Sequence, residues 1–335
     1  MSKTVKIGDS VVGQVALGVM LLTWTPNPVP YDQAFEAIRT AIDAMPTGVK
    51  LFINSGEFYG QGFSAANLDL LAAFYEKHPG YADKTFLSVK GSCDTKTMQS
   101  NAPEEGLRRS VDNINKHLRG AKKLDLFECA RVDLRVPIQE SIRTLQKLIE
   151  EGKFNHIGMS EASSATLRKA HAVHPIAAVE IELSPWSYED EAKKVIASAK
   201  ELGIAVVGYS PLGHGFLTGQ IKSRGDIPKG DGRLHLDRFS EEGFKHNFKI
   251  VEGLTKIAER KGISTAQLSI AWVASLGDHV IPLPGSSKKS RVLENLAAGS
   301  VSLTKGEFDE IIQLVEGITV YGLRYNKAME SALWR

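Results

Sequence analysis

Eight short apolar runs alternate with amphipathic stretches along this chain, and no other feature narrows the possible folds as far. The runs occupy residues 15–20, 50–53, 85–90, 124–129, 156–159, 177–181, 204–208 and 280–283. Each is too short for a helix and is bounded by Gly, Pro or polar residues, which favours a buried strand. Helical periodicity fills the gaps over residues 31–44, 65–77, 103–118, 137–150, 163–172 and 189–202. Consecutive parallel strands need a crossover helix, so unbroken strand–helix units predict a parallel sheet closed as a (β/α)8 TIM barrel. With no linker, repeat or low-complexity segment in view, residues 1–335 read as one domain. An open doubly wound sheet is the runner-up, but no strand is followed by GxGxxG opening a helix.

Three additions stand outside the rhythm. Residues 5–7 and 11–13 flank Gly8-Asp9-Ser10 and read as an N-terminal β-hairpin, a lid for one end of the barrel. A glycine-rich, basic insert runs from 213 to 239 after the seventh strand, a length that in a compact domain points to function or disorder. A C-terminal helix over 304–316 leads to the tail Tyr321-Gly322-Leu323-Arg324-Tyr325-Asn326-Lys327.

Composition removes several function classes. A formal net charge of +2 argues against a broad nucleic-acid-binding surface. No apolar run approaches the length of a membrane span, and residues 1–6 lack the apolar core of a signal peptide, so the expected setting is the cytoplasm, with the nucleus a second compartment. Cys93 and Cys129 occur without CxxC or histidine at ligand spacing, which predicts packing thiols and no metal site.

On a barrel of this kind chemistry sits at the C-terminal ends of the strands. Those ends offer Trp24, Asn54 with Tyr59, Lys90, Ala130 with Arg131, Ser160 with Glu161, Glu180 with Glu182, and Tyr209 with Ser210. A phenol stays protonated at neutral pH and can give its proton to a developing alkoxide, while a neighbouring ammonium stabilises the phenolate left behind. Tyr59 and Lys90 therefore suit carbonyl reduction. No side chain donates hydride, so a nicotinamide or flavin is implied. Tyr59 alone could equally plug a core edge. Tyr209 could stack on a nicotinamide or pack in the core, and Ser160 could bind its carboxamide. The stretch Pro284-Gly285-Ser286-Ser287-Lys288-Lys289-Ser290-Arg291 reads as a phosphate site or as a solvated helix start.

The chain resembles the aldo-keto reductases over nearly its whole length. The strings that carry the likeness are Gly18-Val19-Met20, Glu57-Phe58-Tyr59-Gly60, the lysine closing the third strand, Leu124-Asp125-Leu126-Phe127 and Ile157-Gly158-Met159-Ser160-Glu161. They continue, in family order, with Tyr209-Ser210-Pro211-Leu212-Gly213, Leu217-Thr218-Gly219, Ile281-Pro282-Leu283-Pro284-Gly285-Ser286 and Arg291-Val292-Leu293-Glu294-Asn295. The resemblance implies Tyr59 as proton donor, Lys90 as its partner, Tyr209 stacked on the nicotinamide, and Ser160 and Glu180 at carboxamide-binding positions. Glu161, Ser210, Leu212 and Gly213 lie within the matched strings and are carried over as cofactor contacts. Ser286, Arg291, Glu294 and Asn295 match positions that hold the adenosine 2′-phosphate and adenine, with Lys288 an extra phosphate contact, which implies NADPH over NADH.

Three positions depart from the family pattern. The tetrad Asp is Asn54, the tetrad His is Ala130, and the usual Gln is Glu180. Without the Asp, Lys90 needs another carboxylate, and Glu57 or a different acid is expected to serve. The string from Asn54 to Gly60, the string Phe127-Glu128-Cys129-Ala130-Arg131-Val132-Asp133 and the tail 321–327 resemble the fungal pyridoxal reductases, which implies NADPH-dependent reduction of pyridoxal to pyridoxine. Ala130 then leaves room for a bulky aromatic aldehyde at Tyr59, beside Trp24. Arg131 and Asp133 are read as ligand contacts or as an ion pair with each other. The rival readings are a broad aldehyde and ketone reductase and a non-catalytic NADPH-binding module. A monomer or weak oligomer is expected.

Overall fold

The computed structural model describes residues 3–97 and 99–335. Met1 and Ser2, at the start of the stretch read for a targeting signal, lie outside the described residues. Strand β1 (Thr4–Ile7) pairs antiparallel with β2 (Ser10–Gly13) around Gly8, whose φ is 58°. A side chain at Gly8 would meet the His156 ring at 2.4 Å, so both conformation and space demand glycine. The hairpin is joined to the barrel where Gly13 N donates to Lys50 O at 3.0 Å. Val5, Ile7 and Val12 pack against Phe52, Phe86 and Leu126, closing the N-terminal end of the barrel with apolar side chains.

The eight-stranded parallel sheet begins with β3 (Leu17–Gly18). Helix α1 (Tyr31–Asp43) leads to β4 (Leu51–Gly56), then α2 (Ala66–Lys77) and β5 (Thr85–Gly91). The pattern continues through α3 (Glu104–Leu118), β6 (Leu126–Cys129), α4 (Ile138–Glu150), β7 (His156–Ser160) and α5 (Ser164–His171). It goes on with β8 (Ile176–Glu182), α6 (Asp190–Leu202) and β9 (Ala205–Tyr209). Two helices then intervene, α7 (Glu241–Lys261) and α8 (Thr265–Ala274), before β10 (Val280–Leu283). Helices α9 (Lys289–Ala297), α10 (Lys305–Glu316) and α11 (Lys327–Glu330) complete the chain.

Strand order runs from β3 to β10 without interruption, and the two ends meet. Ala16 N donates to Pro282 O at 3.0 Å and Gly18 N to Pro284 O at 2.9 Å. Gly285 is required at this seam, because a Cβ there would lie 2.8 Å from Gly18 O. The expected (β/α)8 barrel is therefore what forms, with the hairpin, the insert after the seventh barrel strand and the C-terminal helix and tail in the expected places.

The first barrel strand is shorter than its apolar run. Residues 20–22 already turn as a 3-10 helix, so only Leu17 and Gly18 pair as a strand. The insert folds into four short 3-10 turns instead of one regular element. Among the described residues no helix is long and apolar enough to cross a membrane.

Period-two alternation places the site. On β4, Phe52 and Asn54 share a face; on β5, Phe86, Ser88 and Lys90 do; on β6, Leu126 and Glu128; on β8, Ala178 and Glu180. The N-terminal member of each set packs with the hairpin, and the polar members lie above it toward the C-terminal mouth. The interior is thus apolar below and polar above.

Candidate active site

Lys90 is the centre of the polar layer and is only 7% exposed. Its Nζ donates to Asn54 Oδ1 at 2.6 Å and lies 2.6 Å from Glu180 Oε1, with Glu128 Oε1 at 3.9 Å. Asn54 Nδ2 in turn donates to Glu180 Oε2 at 2.7 Å and to Glu128 Oε1 at 3.0 Å, while Ser88 Oγ donates to Glu128 Oε1 at 3.0 Å. Burial works against the Lys90 charge, but Glu180, Tyr59 and Glu128 outweigh it and raise the ammonium above its ordinary value. The lysine is therefore charged across the working pH range.

The acid expected near Lys90 is present, but it is not Glu57. Glu57 leaves the interior and binds α3, where Arg109 Nη1 donates to Oε1 at 2.7 Å, Ser110 Oγ to Oε2 at 2.5 Å and Asn113 Nδ2 to Oε1 at 2.9 Å. It lies past the end of β4, where the strand's inward alternation no longer governs it. Glu180, on the inner face of β8, takes the position across the barrel.

Tyr59 is 7% exposed, and the Lys90 ammonium sits 5.7 Å from its ring centroid. Trp24 stacks on that ring at 5.4 Å with 29° between planes, and Phe58 meets it edge-on at 5.4 Å. Thr23 Oγ1 donates to the Tyr59 carbonyl at 2.5 Å and receives a bond from Asn67 Nδ2 at 2.6 Å, so the loop is tied to α2. Burial pushes the phenol above its ordinary value, with Lys90 pulling the other way. The hydroxyl is a proton donor at neutral pH. Ala130 packs in the same cluster as Tyr59, and so does Cys93. Burial pushes the Cys93 thiol up to about 11 and the Cys129 thiol up to about 12, which removes both as thiolate nucleophiles.

Glu128 is the second carboxyl of the layer. Burial first, and the charge of Glu180 second, raise it from 4.5 to about 8. The folded chain thus keeps a proton that the unfolded chain releases above pH 4.5, and stability falls as pH rises from there to about 8, by at most ~1.4 kcal/mol per pH unit. Glu128→Gln keeps the acceptor for Ser88 and Asn54 and removes the titration. Its melting temperature is expected to decline less than that of the native chain between pH 5.5 and 8.5. Parallel curves for the two proteins would contradict the assignment.

Cofactor-type residues gather on the other side of the mouth. Ser160 Oγ is buried and has no hydrogen-bond partner among the described residues, as expected of a group that meets a polar ligand. Glu161 and Ser210 follow β7 and β9 with φ of 53° and 51°, a conformation that costs a non-glycine residue on the order of 1–2 kcal/mol. Tyr209 donates its hydroxyl to Glu161 Oε1 at 2.8 Å. Ser210 and Leu212 are half-buried, and Gly213 is buried under Trp186 with a φ of 53° that favours glycine. Ser286 is half-buried and Arg291 exposed around the N-terminus of α9, where Lys288 stands at the N-cap position. Glu294 is fixed by Ser264 Oγ at 2.6 Å, and Asn295 is buried.

The C-terminal tail was not among the expected site elements beyond its string likeness, yet it reaches the centre of this side. Arg324 is 2% exposed. Its Nη2 donates to Glu161 Oε1 at 2.7 Å and to the Tyr209 hydroxyl at 3.0 Å, and its Nε donates to Glu182 Oε2 at 3.1 Å. The guanidinium lies over the Tyr325 and Trp334 rings at 5.9 and 5.4 Å. Glu161 is thus already engaged by the tail, which fixes the Tyr209 ring through its hydroxyl. Two buried acids on neighbouring strand ends were the available signal, since such a pair requires a cation from elsewhere. The expected ion pair between Arg131 and Asp133 does not form. Asp133 Oδ1 accepts from Arg135 Nε at 2.8 Å, because the turn after β6 brings residue 135 back over it, and Arg131 Nη1 donates to Ala130 O at 2.6 Å.

A barrel whose mouth holds a buried, protonated tyrosine beside a charged lysine is built for acid-assisted carbonyl chemistry. The chain belongs to the aldo/keto reductase family, whose pattern spans residues 14–316. Members of that family are oxidoreductases that act on aldehydes and ketones with NAD(P)H. The Schizosaccharomyces pombe protein named "Probable pyridoxal reductase 2" is 38% identical over 327 residues, covering 96% of this chain and 97% of that one. An aldo-keto reductase of the same yeast whose name carries NADP(+) is 34% identical over 329 residues, covering 96% and 94%. Among solved structures, the glycerol dehydrogenase of Gluconobacter oxydans superposes with a TM-score of 0.81 at 25% identity, covering 96% of this chain and 98% of that one.

Proposed function

We propose that the chain reduces pyridoxal to pyridoxine with NADPH. The observation that carries this reading is the Lys90 ammonium, 2.6 Å from both Asn54 and Glu180 and 5.7 Å from the Tyr59 ring, at the mouth of the barrel. When bound, the reduced nicotinamide supplies the hydride. Tyr59 gives its proton to the carbonyl oxygen, and Lys90 stabilises the phenolate that remains. Asn54 and Glu180 hold the ammonium in place. Ser160 Oγ takes the carboxamide, and the Glu161–Arg324 pair keeps the Tyr209 ring oriented as a stacking surface. Ser210, Leu212 and Gly213 form the adjoining wall.

Ser286, Lys288 and Arg291 take the adenosine 2′-phosphate, with Glu294 and Asn295 at the adenine. A helix start with two cations and a hydroxyl favours a phosphate over a free ribose hydroxyl, which supports NADPH. The NADP(+) in one relative's name agrees with it. For the substrate, the support is the name of the S. pombe relative and Ala130 beside Tyr59, a small side chain where the family pattern carries a histidine ring. The chain acts in the cytoplasm, with the nucleus as a second compartment, as a monomer or weak oligomer.

Reduced-cofactor consumption with pyridoxal, benzaldehyde and glyceraldehyde tests the proposal. Pyridoxal is expected to show the highest kcat/KM, by about tenfold or more, and NADPH to be preferred to NADH by a similar factor. Equal efficiency across the aldehydes would replace pyridoxal with a broad carbonyl reductase. Tight NADPH binding without turnover would make the chain a binding module.

A further inference from the structure

Among the described cations at the mouth, Lys90 and Arg324 meet carboxylates directly, Arg238 reaches one through Ser187, and Arg131 does neither. Lys90 is matched by Glu180 at 2.6 Å. Arg324 is held by Glu161 at 2.7 Å and Glu182 at 3.1 Å, with the half-exposed Glu189 at 3.7 Å. Arg238, from the insert, adds a second cation beside that acidic pair; its Nη1 donates to Ser187 Oγ at 2.8 Å and to Trp186 O at 3.0 Å, and Ser187 Oγ in turn donates to Glu182 at 2.8 Å. Arg131 has no carboxylate within ion-pair distance among the described residues. One donor on Nη1 is used on the carbonyl of its own neighbour, Ala130, at 2.6 Å.

Arg131 also lies next to the candidate proton donor. It directly follows Ala130, which packs against Tyr59 in one cluster, and its backbone is fixed by Ser100 Oγ donating to its carbonyl at 3.2 Å. Arg131 is half-buried, and the charged or ionisable groups within electrostatic reach of its guanidinium include Tyr59, Tyr209, Tyr325 and Glu161. The phenols are neutral at working pH and Glu161 is already held by Arg324, so these groups leave the Arg131 charge unmatched. The cofactor phosphates do not supply the missing anion either. Their proposed site follows β10, and β7, β8 and β9 separate β10 from β6, which puts the two on opposite sides of an eight-stranded barrel.

We propose that Arg131 is the specificity residue of this site and selects aldehydes that carry an anionic oxygen, a carboxylate or an ionised phenol, close to the carbonyl. A guanidinium offers a fork of N–H donors to such a group, and partial burial strengthens the pairing over what an exposed arginine gives. The inference rests on the reading that a carbonyl substrate sits at Tyr59. Pyridoxal fits it, since the ring hydroxyl beside its aldehyde is ionised at neutral pH.

Two matched pairs of probes test it: 3-carboxybenzaldehyde against its methyl ester, and pyridoxal against its 3-O-methyl ether. In the native chain the charged member of each pair is expected to have the higher kcat/KM, by about 10- to 100-fold, expressed mainly in KM. Arg131→Gln is expected to bring the ratio to about one, and Arg131→Lys, which keeps the charge without the fork, to retain an intermediate ratio. Melting temperature and NADPH affinity of each variant separate specificity from a folding defect. A ratio unchanged in Arg131→Gln, or a native preference for the ester, overturns the inference. Failure to reduce pyridoxal, with the acid and ester still separated through Arg131, leaves the inference standing and removes pyridoxal as substrate. Good turnover of pyridoxal with no dependence on Arg131 does the reverse.

Discussion

Tyr59→Phe is expected to lower kcat for aldehyde reduction by about a thousandfold or more, in the upper range for loss of a positioned general acid. The substitution removes one oxygen and keeps the ring. Its stacking on Trp24 at 5.4 Å, its edge contact with Phe58 and the Thr23 bond to its backbone carbonyl all survive. Melting temperature and NADPH affinity should therefore change little while turnover collapses. The loss should appear in kcat more than in KM, because the proton is needed only as the alkoxide forms. Stopped-flow measurement of a single turnover with saturating aldehyde checks this against slow product release. Activity within tenfold of native would mean that another group delivers the proton.

Most of the barrel was legible because its signals are local. Buried parallel strands read as short apolar runs, and their helices carry the 3.6-residue stripe. The first strand misled because closure at that seam depends on backbone bonds from Ala16 and Gly18 to Pro282 and Pro284, partners some 270 residues away. Helices α7 and α8 are not among the expected elements, although their end signals are present. Ser240 accepts from Gly243 N, Gly262 follows α7 with φ 70°, and Ser264 with Gln267 forms a capping box at the start of α8.

The site was legible in its residue types but not in its pairings. Tyr59 and Lys90 stand out because a strand end presents each. Which acid meets Lys90 is a question about three strands at once, β4, β5 and β8, and nothing local to Glu57 or Glu180 answers it. Period two offered a partial answer: Glu180 shares its face with Ala178, an inward residue, whereas Glu57 lies beyond the last residue of β4. Arg324 was harder still, since its partners Glu161 and Glu182 lie more than 140 residues before it and the intervening chain gives no period to follow.

Glu180→Gln is expected to lower kcat by about 10- to 100-fold, and adding Asn54→Asp to restore it to within a few-fold of native. The geometry makes the exchange reciprocal. Lys90 Nζ touches Asn54 Oδ1 and Glu180 Oε1 at 2.6 Å each, and the two side chains are joined by one bond, Asn54 Nδ2 to Glu180 Oε2, at 2.7 Å. Moving the charge to position 54 and the amide to position 180 reverses the donor in that bond and keeps a carboxylate on the ammonium. In Glu180→Gln alone the nearest remaining carboxylate is Glu128, 3.9 Å from Nζ. Freed from the repulsion of Glu180, Glu128 loses its proton more readily and draws the ammonium deeper into the barrel. That leaves the phenolate of Tyr59 less well stabilised, and the loss should fall on kcat. Asn54→Asp alone sets a second acid against Glu180, and the pair must share a proton at the expense of the Lys90 contact. Each single change is thus costly and the two together much less so, a coupling that a double-mutant cycle on kcat measures directly. Strictly additive losses would show that Glu180 serves the site in some way other than as the partner of Lys90.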